Sequence, residues 1–217
     1  MKGASGVEPA HDEHARLRAE VGERLGELCR WATALQADQL PTRVLSQAVL
    51  ILGDNIAAML SAADEPEVRA YHEQLVAAHG PREATLFRRG APSVGLADAA
   101  VGNGLASTWN ELDDGYTRTA VHPGALSQPL ILATAEAMRL PLSQMLRATV
   151  GAYEIGTRFA RAWHGTLPRL HPHGVWNTVC AAAGLALLRN YDAALMQRAL
   201  TAAASRSEEH TSELQSR

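Results

Sequence analysis

The segment Ala15–Leu35 reads ARLRAEVGERLGELCRWATAL, and its larger apolar residues recur at intervals of three and four. They are Leu17, Val21, Leu25, Leu28, Ala32 and Leu35. An α-helix completes a turn in about 3.6 residues, so this spacing places all of them on one helical face. The same periodicity continues along most of the chain, and no alternation of strands with helices is visible. The sequence therefore predicts an all-α fold.

Proline, glycine and small polar residues divide the chain into eight predicted helices. We expect them at 15–35, 43–62, 64–80, 93–109, 125–138, 143–163, 175–189 and 192–204, with Thr42 and Ser93 as N-caps of two of them. A short extended piece is expected at 84–87. The helix after Ser93 is rich in Gly and Ala, which indicates that another helix packs closely against it.

Composition limits the function classes. The chain has 217 residues, 47% hydrophobic and 20% charged, as in soluble globular proteins, and a net charge of −3. That charge does not indicate a nucleic acid or an anionic membrane as partner. Lys2 is the only lysine, which removes lysine from the candidate catalytic groups of the visible chain. Cys29 and Cys180 are expected to be buried thiols in a reducing cytoplasm.

Targeting signals are not expected. The N-terminus lacks the apolar core of a signal peptide. The most apolar run, 179–188, is shorter than the roughly 20 residues that span a bilayer. The run at 49–52 is interrupted by Asp54 and Asn55. We therefore expect no membrane segment.

Three regions follow from the composition. Residues 1–14 are polar and expected to be disordered, and residues 15–205 form the helical domain. Residues 206–217 break abruptly from an Ala-rich helix, and RSEEHTSELQS is the in-frame translation of a common sequencing-library adapter. We expect this tail to be an artefact and the natural protein to continue beyond Ser205.

Ionisable residues gather in a loop that reads WNELDDGYTRTAVHPG over residues 109–124. It contains Glu111, Asp113, Asp114 and His122. A second loop, 163–174, contains three histidines, of which His171 and His173 are the other candidates. Histidine exchanges protons near neutral pH, and a neighbouring carboxylate fixes its tautomer or raises its pKa. A positioned acid or base of this kind accelerates a reaction by about 10²–10⁴-fold.

Other interpretations of the two loops remain open at this point. Asp113 and Asp114 could cap backbone amides in a turn, while the histidines fill polar gaps. His171 and His173 with an Asp from the other loop would satisfy a three-ligand zinc or iron site, although Pro172 restricts the pair and no HExxH or CxxC motif is present. Nucleotide binding has less support, because the chain has no phosphate-binding glycine motif followed by lysine.

Five short motifs occur in order along the chain: Leu50–Asp54, Ala99–Gly104, Leu112–Asp114 followed by His122–Gly124, Tyr153–Glu154, and His171–Thr178. Taken together, they resemble the MmgE/PrpD family, which includes 2-methylcitrate dehydratases, cis-aconitate decarboxylases and iminodisuccinate epimerases. The resemblance covers about residues 25–205, and the order and spacing of the motifs make it specific. The chain differs from many members at Glu111, where they carry Asp, and at Thr108, where they carry His.

The resemblance implies a cofactor-independent lyase acting on small di- or tricarboxylates. It implies that His122 and His171 face each other across the substrate pocket, one as acid or base and the other paired with a carboxylate or the leaving hydroxyl. Asp113 and Asp114 would orient them or bind the hydroxyl, with Glu111 as a further substrate-binding candidate. His173 is a substrate-binding candidate only from its place in the second loop, because the resemblance does not cover it. The family's lysine and tyrosine contributions and its α/β lid domain would follow Ser205. A homodimer is expected for the full-length protein.

Dehydration of a 2-methylcitrate-like hydroxy acid is our first expectation, and decarboxylation or epimerisation within the same family is the second. Two alternatives lie outside this chemistry. One is an inactive helical fragment, and the other is a helical metal-binding or regulatory module.

Overall fold

The computed structural model describes the backbone of residues 8–119, 121–163 and 172–215, and the side chains of residues 12–119, 121–163 and 178–205. Over these residues the chain is all-α, as predicted, with one two-stranded antiparallel sheet that pairs Ala84 with Val94. The elements are α1 (Glu8–Ala34), a 3₁₀ turn (Ala37–Gln39), α2 (Thr42–Ser61), α3 (Pro66–Ala77), β1 (Ala84–Thr85), β2 (Ser93–Val94), α4 (Leu96–Trp109), α5 (Pro123–Ala137), α6 (Leu142–Trp163), α7 (Pro172–Leu188) and α8 (Ala193–Gln215).

The two terminal helices are longer than predicted. Helix α1 begins at Glu8, so residues 8–14 are helical rather than disordered. Pro9 is compatible with this start, because a first-turn residue has no intrahelical partner for its amide. The predicted apolar face of α1 is buried only in part, since Leu17 and Val21 are exposed while Cys29 and Ala32 are buried. Helix α8 continues past the predicted boundary at 205 to Gln215.

Neither predicted N-cap acts as one. Ser93 lies in β2, and α4 begins at Leu96, whose backbone amide donates to the Glu83 carboxylate over 3.0 Å. The Glu83 side chain, from the segment before α4, thus takes the place of a local N-cap. Thr42 is the first residue of α2, with Pro41 before it and no side-chain cap. Both predictions were wrong by a few residues.

Helix α5 is the centre of the domain. Three consecutive residues, Ile131, Leu132 and Ala133, each belong to a different hydrophobic cluster. The cluster of Ile131 includes residues of α1, α6, α7 and α8. The cluster of Leu132 includes residues of α2 and α4. The cluster of Ala133 includes residues of the hairpin and α4. A helix that is apolar all round must be surrounded by other elements. The second half of α5 is therefore enclosed by packing on every side.

Pro129 lies inside α5 and removes one backbone hydrogen bond. A proline at this position cannot donate to the carbonyl four residues earlier, which belongs to Ala125. The Ser107 hydroxyl from α4 lies 3.3 Å from that carbonyl oxygen and 2.9 Å from Gly104 O. A methyl group on Gly104 would meet Pro129 at 4.0 Å, an ordinary van der Waals distance. The small-residue helix α4 is packed closely at Gly102 instead, where a methyl group would overlap Leu75 and Leu86.

Glycines also allow close packing between α6 and α7. A methyl group on Gly156 would overlap the Cys180 sulfur, and one on Gly151 would overlap Leu187. Both cysteines are buried free thiols, as predicted. Burial raises the pKa of Cys29 to about 11 and that of Cys180 to about 12. Neither thiol is available as a nucleophile near neutral pH.

Helix α2 is long and apolar enough to cross a membrane by length and composition, and it is the one such helix within the described residues. Asp54 and Asn55 do not lower its average hydropathy enough to exclude it, contrary to the expectation from the sequence. Core helices of soluble proteins meet the same criteria, and α2 packs against α4, α5 and α6.

Candidate active site

The acidic loop begins where α4 ends. Asn110 terminates the helix, and Glu111 follows with a φ of 53°, the left-handed conformation that commonly stops a helix. The Glu111 amide donates to Thr108 O over 3.2 Å, and its side chain is exposed. Glu111 therefore turns the chain away from α4.

The second half of the loop is held by its own backbone and by α6. Tyr116 and Val121 form an antiparallel bridge, with the Tyr116 amide donating to Val121 O over 2.9 Å. Val121 is 1% exposed and clusters with Ala160 of α6, with Tyr116 and Trp163 packed around them. The loop is thus anchored immediately before His122.

His122 and Asp113 come together at the start of α5. Nδ1 of His122 lies 2.8 Å from Oδ2 of Asp113, whose side chain is 8% exposed, while the histidine side chain is 34% exposed. His122 occupies the residue before the first turn of α5, and its ring lies beside Gly115. A buried carboxylate beside Nδ1 favours the ring tautomer that carries its proton there, so the lone pair of the neutral ring is on Nε2.

Asp114 points to a different set of partners. Its Oδ2 accepts a hydrogen bond of 2.7 Å from the Tyr153 hydroxyl of α6, and its Oδ1 accepts one of 3.2 Å from Asn55 Nδ2 of α2. Asn55 is fully buried. Burial, followed by the Asp114 charge, raises the pKa of Tyr153 well above its ordinary range. We call Asn55, Asp114 and Tyr153 the Asp114 cluster.

Gly124 allows this cluster to form against α5. A methyl group at Gly124 would overlap Asp114 Oδ1, Asn55 Nδ2 and the Tyr153 hydroxyl. Glycine is therefore required for the first turn of α5 to approach the three polar groups. Elements α2, α5 and α6 meet the acidic loop at this one point.

The predicted site residues thus divide into groups. His122 and Asp113 form a pair, and Asp114 lies in the neighbouring cluster. Glu111 is exposed at the end of α4. His171 lies outside the described residues, and His173 is in the first turn of α7, where side chains are not described.

The sequence analysis did not identify either hydrogen-bond partner of Asp114. Its motif on α2 ended at Asp54, which is exposed, whereas the neighbouring Asn55 contacts Asp114. The sequence feature that could have identified this contact is an asparagine within an otherwise apolar stretch of α2, because a buried side-chain amide requires hydrogen-bond partners. Tyr153 was quoted only as part of a motif, and its partner could not be known without the fold.

Asn103 of the resemblance motif Ala99–Gly104 has a structural position. Its amide nitrogen donates to Thr85 O over 2.9 Å, and its carbonyl accepts from the Phe87 amide at the same distance. It therefore holds the β1 segment against α4. His72 is also structural, because it is fully buried and Nε2 lies 2.9 Å from Gly102 O.

Among the residues with described side chains, no three His, Cys, Asp or Glu side chains converge as metal ligands. The zinc or iron site considered from the sequence would use His171 and His173, which are not among those side chains.

Comparison with known proteins decides the family. The model of the MmgE/PrpD N-terminal domain matches residues 26–215. The chain belongs to this family. Within the MmgE/PrpD family, it is similar to the cis-aconitate decarboxylase of Aspergillus terreus, with 27% identity over 146 residues, or 64% of this chain and 29% of that protein. The cis-aconitate decarboxylase of A. terreus strain NIH 2624 / FGSC A1156 is similar to the same extent. The chain thus spans less than a third of the length of these curated relatives.

Proposed function

We propose that this MmgE/PrpD chain supplies the acid–base residues of a cofactor-independent lyase that acts on small di- or tricarboxylates. The observation that carries the proposal is the 2.8 Å approach of His122 Nδ1 to the nearly buried Asp113 carboxylate. The arrangement is that of a general base whose orientation is set by a carboxylate.

Proton abstraction next to a carboxylate suits this pair. Asp113 holds the Nδ1 proton, so Nε2 of the neutral ring accepts the proton from the substrate carbon. Asp113 then stabilises the imidazolium that results. The substrate gains negative charge in this step, and preorganised cationic or hydrogen-bonding groups must stabilise it. We assign that role to His171, with Glu111 and His173 as the substrate-binding candidates from the sequence, since both carboxylate oxygens of Asp114 already accept hydrogen bonds from protein side chains.

Dehydration is the reaction we propose first, on a 2-methylcitrate-like hydroxy acid. His122 takes a proton from the carbon beside a carboxylate, the electron pair forms the new double bond, and the hydroxyl on the adjacent carbon leaves. A proton from the second histidine converts that hydroxyl to water. The reaction uses groups that the loops supply and requires no redox step.

Decarboxylation is the second candidate, favoured by the similarity to cis-aconitate decarboxylase. In that case a carbon–carbon bond breaks, CO₂ leaves, and an imidazolium donates a proton to the carbon that retains the electron pair. The same His122–Asp113 pair serves as the proton donor. Epimerisation within the family would use proton removal and return alone.

The experiment is an assay of the full-length protein against 2-methylcitrate, citrate and cis-aconitate, followed by NMR of the products. An alkene without carbon loss identifies dehydration, and loss of CO₂ identifies decarboxylation. His122→Ala should abolish turnover with the fold intact, whereas His14→Ala, an exposed residue of α1, should not change it. Full activity in both His122→Ala and His171→Ala would refute the assignment.

We also propose that the full-length protein is a cytoplasmic homodimer. The support is a set of exposed large apolar side chains on α2 and α4, since large apolar patches favour association. They are Val49, Leu50, Leu60, Val101 and Trp109. Light scattering coupled to size exclusion should give the mass of two chains, and a monomer at micromolar concentration would refute the dimer.

A further inference from the structure

Asp114 differs from Asp113 in what its carboxylate contacts. Both oxygens accept hydrogen bonds from protein side chains, one from Tyr153 of α6 and one from Asn55 of α2. We propose that Asp114 is a positioning residue, and that Asn55 and Tyr153 hold it so that Asp113 stays beside His122. The catalytic consequence rests on the proposed function, but the positioning itself does not.

The two donors are fixed in their roles. Because burial and the Asp114 charge raise the pKa of Tyr153, its hydroxyl keeps its proton over the whole working pH range and donates. Asn55 Nδ2 also donates to Ile51 O over 2.9 Å. The two atoms that Nδ2 meets, Ile51 O and Asp114 Oδ1, are both acceptors, so the nitrogen and not the oxygen of this amide faces Asp114.

The surroundings of the cluster leave little space for a ligand. Gly124 lies so close that even a methyl group there would overlap all three polar side chains. Because Gly124 is in the first turn of α5, the Asp114 carboxylate lies at the N-terminus of this helix. The helix dipole favours a negative charge there.

The Asp114 cluster positions the His122–Asp113 pair through the peptide bond that joins Asp113 to Asp114. Asp113 and Asp114 are consecutive, so fixing the Asp114 side chain fixes the backbone that carries Asp113. The cluster joins this backbone to α2 and α6, and His122 directly precedes α5. A displacement of about 1 Å at a catalytic group can cost roughly 10²-fold in rate, which makes such anchoring effective.

The first test reads the tautomer of His122 by ¹⁵N NMR of histidine-labelled full-length protein at pH 8. The His122 signals are assigned by their absence in His122→Gln. The wild type should show the proton on Nδ1. Tyr153→Phe and Gly124→Ala should each shift the population toward Nε2–H, because Asp113 is no longer held. Tyr191→Phe and Gly53→Ala are the matched controls and should leave it unchanged.

The controls are chosen by their surroundings. Tyr191 packs against the cluster of α1, α6, α7 and α8 rather than the acidic loop. A methyl group on Gly53, two residues from Asn55 on the same helix, meets nothing within 4 Å. An unchanged tautomer in both Tyr153→Phe and Gly124→Ala, with folded protein, would overturn the proposal. Asn55→Ala provides a third variant if either of these fails to fold.

The second test separates positioning from substrate binding by kinetics on the full-length enzyme. Tyr153→Phe should lower kcat by about 10- to 100-fold with KM nearly unchanged. An increased KM at unchanged kcat would make Asp114 a substrate contact and overturn the proposal. If the wild type acts on none of the tested acids, the proposed function fails, while the tautomer measurement still decides the positioning role.

Discussion

Asp113 Oδ2 and His122 Nδ1 lie 2.8 Å apart, although the loop that separates them turns through a β-bridge between Tyr116 and Val121. Two features bring them together. The bridge closes the loop, and the Asp114 cluster holds its other end against α2 and α6. Proximity in the chain alone would not produce this contact.

Asp113→Asn should reduce kcat of the full-length enzyme by about 10²–10⁴-fold, because an amide cannot stabilise the imidazolium formed at His122. The thermal midpoint should change little, since the amide has nearly the same shape. Steady-state kinetics with the acid that the wild type accepts measures the effect. Asp54→Asn, on the exposed side of α2, is the control and should keep wild-type kcat. Wild-type kcat in Asp113→Asn would contradict the role of the pair.

Stability should decrease as the pH falls below 6.5, in part because of His72. Burial lowers the pKa of His72 below its ordinary 6.5, although its hydrogen bond to Gly102 opposes the shift and Arg88 adds to it. Protonation would also place an N–H at Nδ1, which is buried and has no hydrogen-bond partner among the described residues. The unfolded chain therefore binds this proton at a higher pH than the folded protein, so stability is complete above 6.5 and decreases below it.

The effect is measured by urea unfolding between pH 5 and 7.5. One group of this kind contributes at most about 1.4 kcal/mol per pH unit to the slope. His72→Gln keeps a donor for Gly102 O and cannot be protonated, so its slope should be smaller than that of the wild type. His79→Gln, an exposed residue after α3, should retain the wild-type slope. Identical slopes for the wild type and His72→Gln would contradict the prediction.

Gly156→Ala and Gly53→Ala should have opposite effects on stability, although both replace a glycine within a helix. The methyl group at 156 overlaps the Cys180 sulfur, and overpacking of this kind costs about 1–3 kcal/mol. At Gly53 nothing lies within 4 Å, so the better helix propensity should stabilise by about 0.5–1 kcal/mol.

Urea midpoints of the two variants test this, and a double variant tests the cause. Cys180→Ala removes the atom that the new methyl group meets, so Gly156→Ala should cost less in that background than in the wild type. Equal costs in both backgrounds would show that the sulfur contact is not the reason.

Ser107→Ala should destabilise the protein by about 1 kcal/mol, because it removes the hydroxyl beside the Ala125 carbonyl that Pro129 leaves without a helical donor. In a Pro129→Ala background the helix regains that amide, so Ser107→Ala should cost less there. The four free energies of unfolding form a double-mutant cycle. A coupling energy of zero would show that Ser107 and Pro129 act independently.

The all-α class, most helix positions and the buried cysteines were predictable from the sequence, because apolar residues at helical spacing are recognisable within each segment. His122 and Asp113 were predicted as candidate site residues, since an acidic turn followed by His-Pro-Gly departs visibly from the helices around it. Their catalytic role stays a prediction.

Only the tertiary structure decided how the two aspartates differ. Asp113 and Asp114 are adjacent and chemically identical, yet one faces His122 and the other faces Asn55 and Tyr153. The cap of α4 also depends on tertiary packing. The Glu83 carboxylate caps its first turn from outside the helix, and the predicted Ser93 does not. A side chain's partner depends on which distant elements pack beside it, and that packing is set by the whole core around α5.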